Sequence, residues 1–143
     1  MIESNERQKM LWGNITYSIQ RIDLLIVSVS GAGVYFCLEA LKFMYENEIA
    51  IGTYIKSSAG LFITAIILNF ISQFFSFYAN LYDYKYTLLS DCQDRTEKET
   101  CAMYSHERIS NIFNKSNNIS TALSVLSMFA GLIICFAYFA STF

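Results

Sequence analysis

Three long apolar runs divide the chain, and charged residues are confined to their flanks. The first covers 22–44; its centre from Leu24 to Leu38 is free of charge, and Asp23, Glu39 and Lys42 mark its edges. The second covers 57–82 and the third 119–143, neither with an ionised side chain. Each is close to the ~20 residues a helix needs to cross a ~30 Å hydrocarbon core. Such runs must be helical in lipid, because no water is present there to satisfy an unpaired peptide group. The pattern predicts an all-α integral membrane protein, with three transmembrane helices in a single membrane domain over residues 1–143.

The flanking segments have patterns of their own. In 1–21, Leu11, Ile15, Ile19 and Ile22 recur at helical spacing, with Arg7, Lys9 and Gln20 off that stripe. This predicts a short N-terminal interfacial helix, and Gly13 and Asn14 weaken a continuous helix through it. The second span meets Asp83 without a breaker, and Tyr84, Tyr86, Leu88 and Leu89 continue it past the membrane. A turn is expected over 90–96. Asp94 or Thr96 then caps a new helix, with Glu97 and Glu99 in its first turn, where they suit the helix dipole. Ile109, Ile112 and Phe113 give that helix an apolar face for its neighbour. Residues 83–118 thus form a helical hairpin continuous with the second and third spans. The chain has no proline, and no glycine between Gly60 and Gly131, so nothing in that stretch strongly ends a helix.

The spans also carry polar stripes. In the third, Ser120, Ser124, Ser127, Gly131, Cys135, Tyr138 and Thr142 lie on one helical face. Small residues let helices approach closely, and serine can hydrogen-bond across the contact. Such a face serves packing within one chain, packing between subunits, or a pore wall. In the second span Asn69, Gln73, Ser76 and Asn80 align. Carboxamides at that depth are costly unless paired or facing water, so they form either an interhelical ladder or a hydrated path along an oligomer axis. Phe70, Phe74 and Phe77 make an aromatic face for lipid or a neighbouring helix. In the first span Ser28, Gly31, Ala32 and Tyr35 form a narrow stripe that ends at Glu39 and Lys42. Glu39 is the most interior ionisable residue; pairing with Lys42 or snorkelling to the interface accommodates it. The pore-lining or helix-interface set is therefore Asn69, Gln73, Ser76, Asn80, Ser124, Ser127, Gly131 and Cys135.

Composition supports the membrane reading. Of 143 residues, 54% are hydrophobic and only 15% charged, against about 25% charged in soluble domains. The net charge of −2 points to no polyanionic partner from the total alone. The distribution of cations is more informative. Arg7, Lys9, Arg21, Lys85, Arg95, Lys98, Arg108 and Lys115 fall on the side of the N-terminus and hairpin; only Lys42 and Lys56 fall on the other. By the positive-inside rule the N-terminus and hairpin are cytoplasmic. The expected location is the plasma membrane, crossed several times. Trp12, Tyr17, Tyr78 and Tyr82 are placed at the inner interface, and Tyr45, Tyr54, Tyr138 and Phe143 at the outer one.

Catalytic chemistry is sparse. His106 is the only histidine. Cys92, Cys101 and His106 are spaced too widely for the usual zinc pairs and lack a fourth ligand, although Asp91 or Asp94 lies close in sequence. A Cys92–Cys101 disulfide is disfavoured on the cytoplasmic side. Cys37 and Cys135 lie in apolar runs, where a thiol is usually a small core hydrophobe. The sequons at Asn14, Asn114 and Asn118 fall on the wrong side for glycosylation. No phosphate-binding glycine loop is present. These absences lead us to expect no enzyme, no metal and no cofactor. One cytoplasmic face stands out, with Arg108, Asn111, Lys115 and Asn118 in helical register. In a monomer it is a solvated face. In a symmetric oligomer it becomes a ring of cations suited to phosphates.

The three spans, the polar hairpin and the Asn-, Ile-, Lys- and Phe-rich composition resemble, in overall layout, small membrane effectors of bacterial anti-phage defence. One such family is the Hailong-type channels. The resemblance implies a gated ion channel held shut by a cytoplasmic nucleic-acid oligomer or nucleotide. From the residues themselves, the polar stripes and small size lead to a homo-oligomeric pore or membrane-perturbing effector. The alternative is a non-conducting membrane anchor or assembly subunit that docks a cytoplasmic partner through its hairpin. The topology is testable with reporters fused near Glu97 and at the C-terminus. The hairpin fusion should report cytoplasm and the C-terminal fusion the opposite side; a cytoplasmic signal from both would sink the three-span arrangement.

Overall fold

The computed structural model describes residues 2–47, 52–90 and 97–142. It is built of three helices, α1 (Ile2–Glu46), α2 (Thr53–Ser90) and α3 (Glu97–Thr142), with no strand among the described residues. Each helix contains a segment long and apolar enough to cross a membrane, at Gln20–Glu46, Thr53–Thr87 and Thr100–Ala140. The chain is thus an all-helical, multi-pass membrane protein by the length and composition of its helices. At 1.5 Å per residue α2 is about 57 Å long and α3 about 69 Å, so part of each lies outside a ~30 Å hydrocarbon core.

The helices are longer than the expected spans. α1 runs without interruption through Gly13 and Asn14, so the expected interfacial segment and the first span are one helix. A glycine inside a helix costs only about 1 kcal/mol relative to alanine. Over 45 residues that penalty does not break the ladder. α2 continues past Asp83 to Ser90, and α3 starts at Glu97. Ser90, expected to open the turn, is the last residue of α2; the rest of that turn and its caps at Asp94 or Thr96 fall within 91–96, outside the described residues.

The chain divides into two compact units. The first comprises Met1–Ile66 and Ser127–Phe143 and contains α1, the start of α2 and the end of α3. It is organised in layers one helical turn apart. In the central layer Phe62 of α2, 1% exposed, meets Gly33 of α1 and Gly131 of α3. A Cβ at Gly33 would lie 2.6 Å from the Phe62 ring, and one at Gly131 3.1 Å from it. One turn along each helix come Cys37, Ser58 and Cys135, and beyond them Ile55 and Tyr138, with Met44, two turns past Cys37 on α1, met by the Tyr138 side chain. Residue numbers rise along α1 and α3 and fall along α2 through these layers, as an up-down-up bundle requires. The Tyr138 hydroxyl donates to Met44 Sδ at 3.7 Å, so Tyr138 serves the bundle interior as well as its edge.

The second unit, Ile67–Leu126, is an antiparallel pair formed by the end of α2 and the start of α3. Its centre is aromatic. Phe113 of α3 stacks on Tyr78 and Tyr82 and tilts against Phe75, with ring centroids 5.6, 6.0 and 6.0 Å away. His106 lies over Tyr82 at 5.7 Å, and Lys85 reaches the Tyr82 ring from its own helix, 5.3 Å from the centroid. Tyr78 and Tyr82, expected at an interface, are thus packed within the pair.

Four glycines rank by the space beside them. Gly31 and Gly60 have open space where a Cβ would be, whereas Gly33 and Gly131 face Phe62. Gly31→Ala and Gly60→Ala should stabilise by about 0.5–1 kcal/mol through helix propensity alone. Gly33→Ala should lose that gain to overpacking and come out destabilised, by about 1–3 kcal/mol. Gly131→Ala should fall between, and Gly131→Leu should be at least as damaging as Gly33→Ala. Thermal unfolding in detergent, followed by circular dichroism, tests the order; Gly33→Ala as benign as Gly31→Ala would remove Phe62 from the centre of the packing.

Candidate functional site

Two helix edges bear the polar groups that the spans enclose. Along α2, Asn69 is fully buried, Ser76 half-buried, and Gln73 and Asn80 exposed. Gln73 Nε2 donates to Asn69 Oδ1 at 3.0 Å, one turn back on the same helix. The four residues therefore do not share one environment. Asn69 belongs to the interior of the second unit, while Gln73 and Asn80 look outward from it. Phe70, Phe74 and Phe77 are also exposed, each by more than half.

Along α3 the small-residue stripe faces inward. Ser120, Ser124 and Gly131 are buried, and Ser127, Cys135 and Tyr138 half-buried. In the first unit two hydroxyls join α2 and α3 in opposite directions. Ser58 of α2 donates to the Gly131 carbonyl, and Ser127 of α3 to the Leu61 carbonyl, both at 2.8 Å. A helical carbonyl has a second lone pair free for such a bond. In the second unit Ser110 of α3 donates to the Ala79 carbonyl at 3.1 Å. Ser72 of α2 donates to Asn117 Oδ1 at 2.5 Å. Its single hydrogen is then committed, so its 2.6 Å contact with Thr121 Oγ1 has the threonine as donor.

The first-span stripe falls elsewhere. Ser28, Gly31, Ala32 and Tyr35 are all exposed; the buried face of α1 carries Ile26, Ser30, Cys37 and Met44, with Gly33 against Phe62. Glu39 and Lys42 are both exposed and form no ion pair with one another. Arg108, Asn111, Lys115 and Asn118 are all exposed on α3. The first three border an open hollow with Tyr104, Glu107 and Ile112, so a carboxylate stands among the cations. Cys101 is exposed and the His106 ring is tilted against that of Tyr82; Cys92, Asp91 and Asp94 lie outside the described residues. Among the described residues no group of three or more His, Cys, Asp or Glu is placed to hold a metal.

Sequence reasoning missed the residues that join the helices most closely: Gly33, Ser58, Phe62, Ser72 and Asn117. Ser58 and Ser72 each had a signal, since serine in an apolar span seeks an acceptor. Phe62 had none, because one phenylalanine among many apolar neighbours does not announce that it is buried. Comparison with protein-family models, with curated proteins and with solved structures gave no match to this chain.

The Ser72–Asn117–Thr121 cluster can be weighed by a double-mutant cycle. Ser72→Ala should destabilise by about 0.5–1.5 kcal/mol, the range for membrane and buried hydrogen bonds. Asn117→Leu in the Ser72→Ala background should cost less than Asn117→Leu alone, because the lost partner is shared. Additive costs would mean that the two side chains act independently.

Proposed function

We propose that this protein is a homo-oligomeric pore or membrane-perturbing effector of the bacterial inner membrane, working as a gated ion channel. The observation that carries this reading is the outward placement of Gln73 and Asn80 on a membrane-spanning helix. An outward carboxamide is costly against lipid and favourable against water or another polar chain. The interior of the first unit offers no alternative route, because the Phe62 ring fills the space between Gly33 and Gly131. Water crossing the membrane would therefore run between copies, along the α2 edge of Gln73 and Asn80. The inward-facing α3 stripe of Ser124, Ser127, Gly131 and Cys135 holds each subunit together rather than lining the path. Asn69, also buried, supports Gln73 from behind.

In this arrangement the N-terminus and the hairpin face the cytoplasm, as the cation distribution argues. Symmetry would then gather the exposed Arg108 and Lys115 of each subunit into a ring. A nucleic-acid oligomer or nucleotide is the ligand class such a ring suits, through phosphate contacts that weaken with salt. Glu107 reduces the field of each subunit, so binding would depend on several subunits acting together.

A second reading is a non-conducting anchor or assembly subunit, an alternative supported by the exposed Tyr84, Tyr104 and Ile112 of the second unit, which suit a protein partner. Planar-bilayer conductance separates the two. Wild-type protein should conduct, and Gln73→Leu with Asn80→Leu should lower the current while assembly stays intact, since an apolar constriction closes by dewetting. Changing Arg108 and Lys115 to Gln should raise basal leak and abolish the effect of added oligonucleotide. Unchanged current in the leucine variant would remove the α2 edge from the path. A wild type silent with every oligonucleotide and nucleotide tried would favour the anchor.

A further inference from the structure

Among the described residues, Cys37 and Cys135 bring two thiols into the packed layers of the first unit around Phe62, and the pore reading uses neither. Cys37, on α1, is buried at 1% exposure. Its thiol points to Ser58 Oγ at 3.8 Å, and Ser58 in turn donates to the Gly131 carbonyl. Cys135, on α3, packs against the cluster that contains Cys37, one helical turn past the Gly131 carbonyl to which Ser58 donates. Both cysteines are reduced. Each stands one helical turn beyond a glycine that meets Phe62, Gly33 for Cys37 and Gly131 for Cys135. The close approach set by those glycines is what brings thiols from two different helices together.

The two thiols differ in access. Cys37 is enclosed, whereas Cys135 is half-exposed and lines a groove of about 610 Å³ between α1 and α3. The groove is walled by Phe36, Phe62, Phe136 and Phe139, and Phe36 and Phe136 are themselves largely exposed, so it opens outward. Both cysteines sit inside segments apolar enough to span the membrane. Water-soluble oxidants such as peroxide or glutathione disulfide are poorly soluble in that environment; membrane-soluble ones are not.

We propose that Cys37 and Cys135 form an intramembrane dithiol that a lipid-soluble quinone oxidises to a disulfide linking α1 to α3. Two S–H bonds break and one S–S bond forms, and the two electrons and two protons reduce the quinone to its hydroquinone. A disulfide spans about 2.05 Å between sulfurs with Cα atoms about 5.5–6 Å apart. Helices held at glycine contacts place both cysteines in the same layer, which is the close approach such a bridge requires. Cys135 meets the oxidant from the groove, and Cys37, enclosed behind it, supplies the second sulfur of the disulfide. The disulfide would fasten α1 to α3 beside the Phe62 layer, leaving the unit less free to rearrange.

The proposal stands apart from the pore reading, and its test uses thiol chemistry rather than current. The full chain carrying Cys92→Ser and Cys101→Ser, in lipid nanodiscs, is incubated with decyl-ubiquinone, denatured and alkylated with a maleimide. Both thiols should disappear together, with an intact mass lower by two hydrogens, a monomeric band on a non-reducing gel, and full recovery with reductant. Adding Cys37→Ser should leave Cys135 alkylatable. Ala32→Phe, which fills the groove, should slow oxidation by the quinone and spare oxidation by copper-phenanthroline, with circular dichroism confirming the helices. Thiols that stay alkylatable, a quinone adduct on Cys135, or disulfide-linked dimers would each overturn the dithiol. Equal rates with and without Ala32→Phe would overturn the groove as the route.

Discussion

The first unit depends on one contact, the Phe62 ring of α2 set between Gly33 of α1 and Gly131 of α3. In water an aromatic ring at such a position would be held largely by its exclusion from solvent. In lipid that force is absent between helices, since acyl chains are as apolar as leucine. What remains is van der Waals contact, and it counts only if surfaces touch closely over a large area. Two glycines supply the recess that lets a ring reach two backbones at once. The layers that follow inherit their register from this contact. Cys37, Ser58 and Cys135 meet one turn along, and Met44, Ile55 and Tyr138 follow.

Hydroxyls complement the shape. Ser58 and Ser127 reach carbonyls on each other's helix from either side of the Phe62 layer, and Ser110 reaches Ala79 in the second unit. A serine costs little volume, so it does not hold helices apart as a larger polar side chain would. Its hydrogen bond fixes both rotation and height of one helix against the other. Close packing and serine-to-carbonyl bonds are therefore the same device: the first brings the backbones near enough for the second to form. In the second unit, which contains no glycine, stacked rings around Phe113 fill the space between the helices.

The number and position of the apolar helices were legible in the sequence, because lipid demands long uncharged runs and the chain has three. The inward face of α3 was legible too, since Ser124, Ser127 and Gly131 recur at a helical period among larger residues. The face of α1 was not. Ser28, Gly31, Ala32 and Tyr35 make as regular a stripe as Ser30, Gly33 and Cys37, yet only the second set packs. A soluble helix announces its inner face by apolar contrast. A membrane helix is apolar on both faces, so two small-residue stripes on one helix cannot be ranked without the partner's shape. The same loss of contrast hid Phe62 among its neighbours. On α2 the carboxamides drew attention because they are costly, but cost alone does not say whether a group is buried or turned outward. Asn69 and Gln73, one turn apart and bonded to each other, fall on opposite sides of that division.

That division bears on what the outer surface is for. Only 17%, 22% and 22% of the residues in the most apolar windows of the three helices are buried, so each window leaves much apolar surface partly or fully exposed. Lipid accounts for the outward leucines, isoleucines and phenylalanines at no cost. It does not account for Gln73, whose amide has hydrogen-bonding capacity beyond its one bond to Asn69. Replacing that residue by leucine would make the α2 edge uniformly apolar with no loss of helix propensity. A chain selected only to sit in the membrane gains nothing from the carboxamide. A chain that meets copies of itself gains either a polar contact or a place for water. The exposed carboxamide is therefore the feature that a monomer explains least well, and it is the reason for reading the outer face of α2 as a meeting surface.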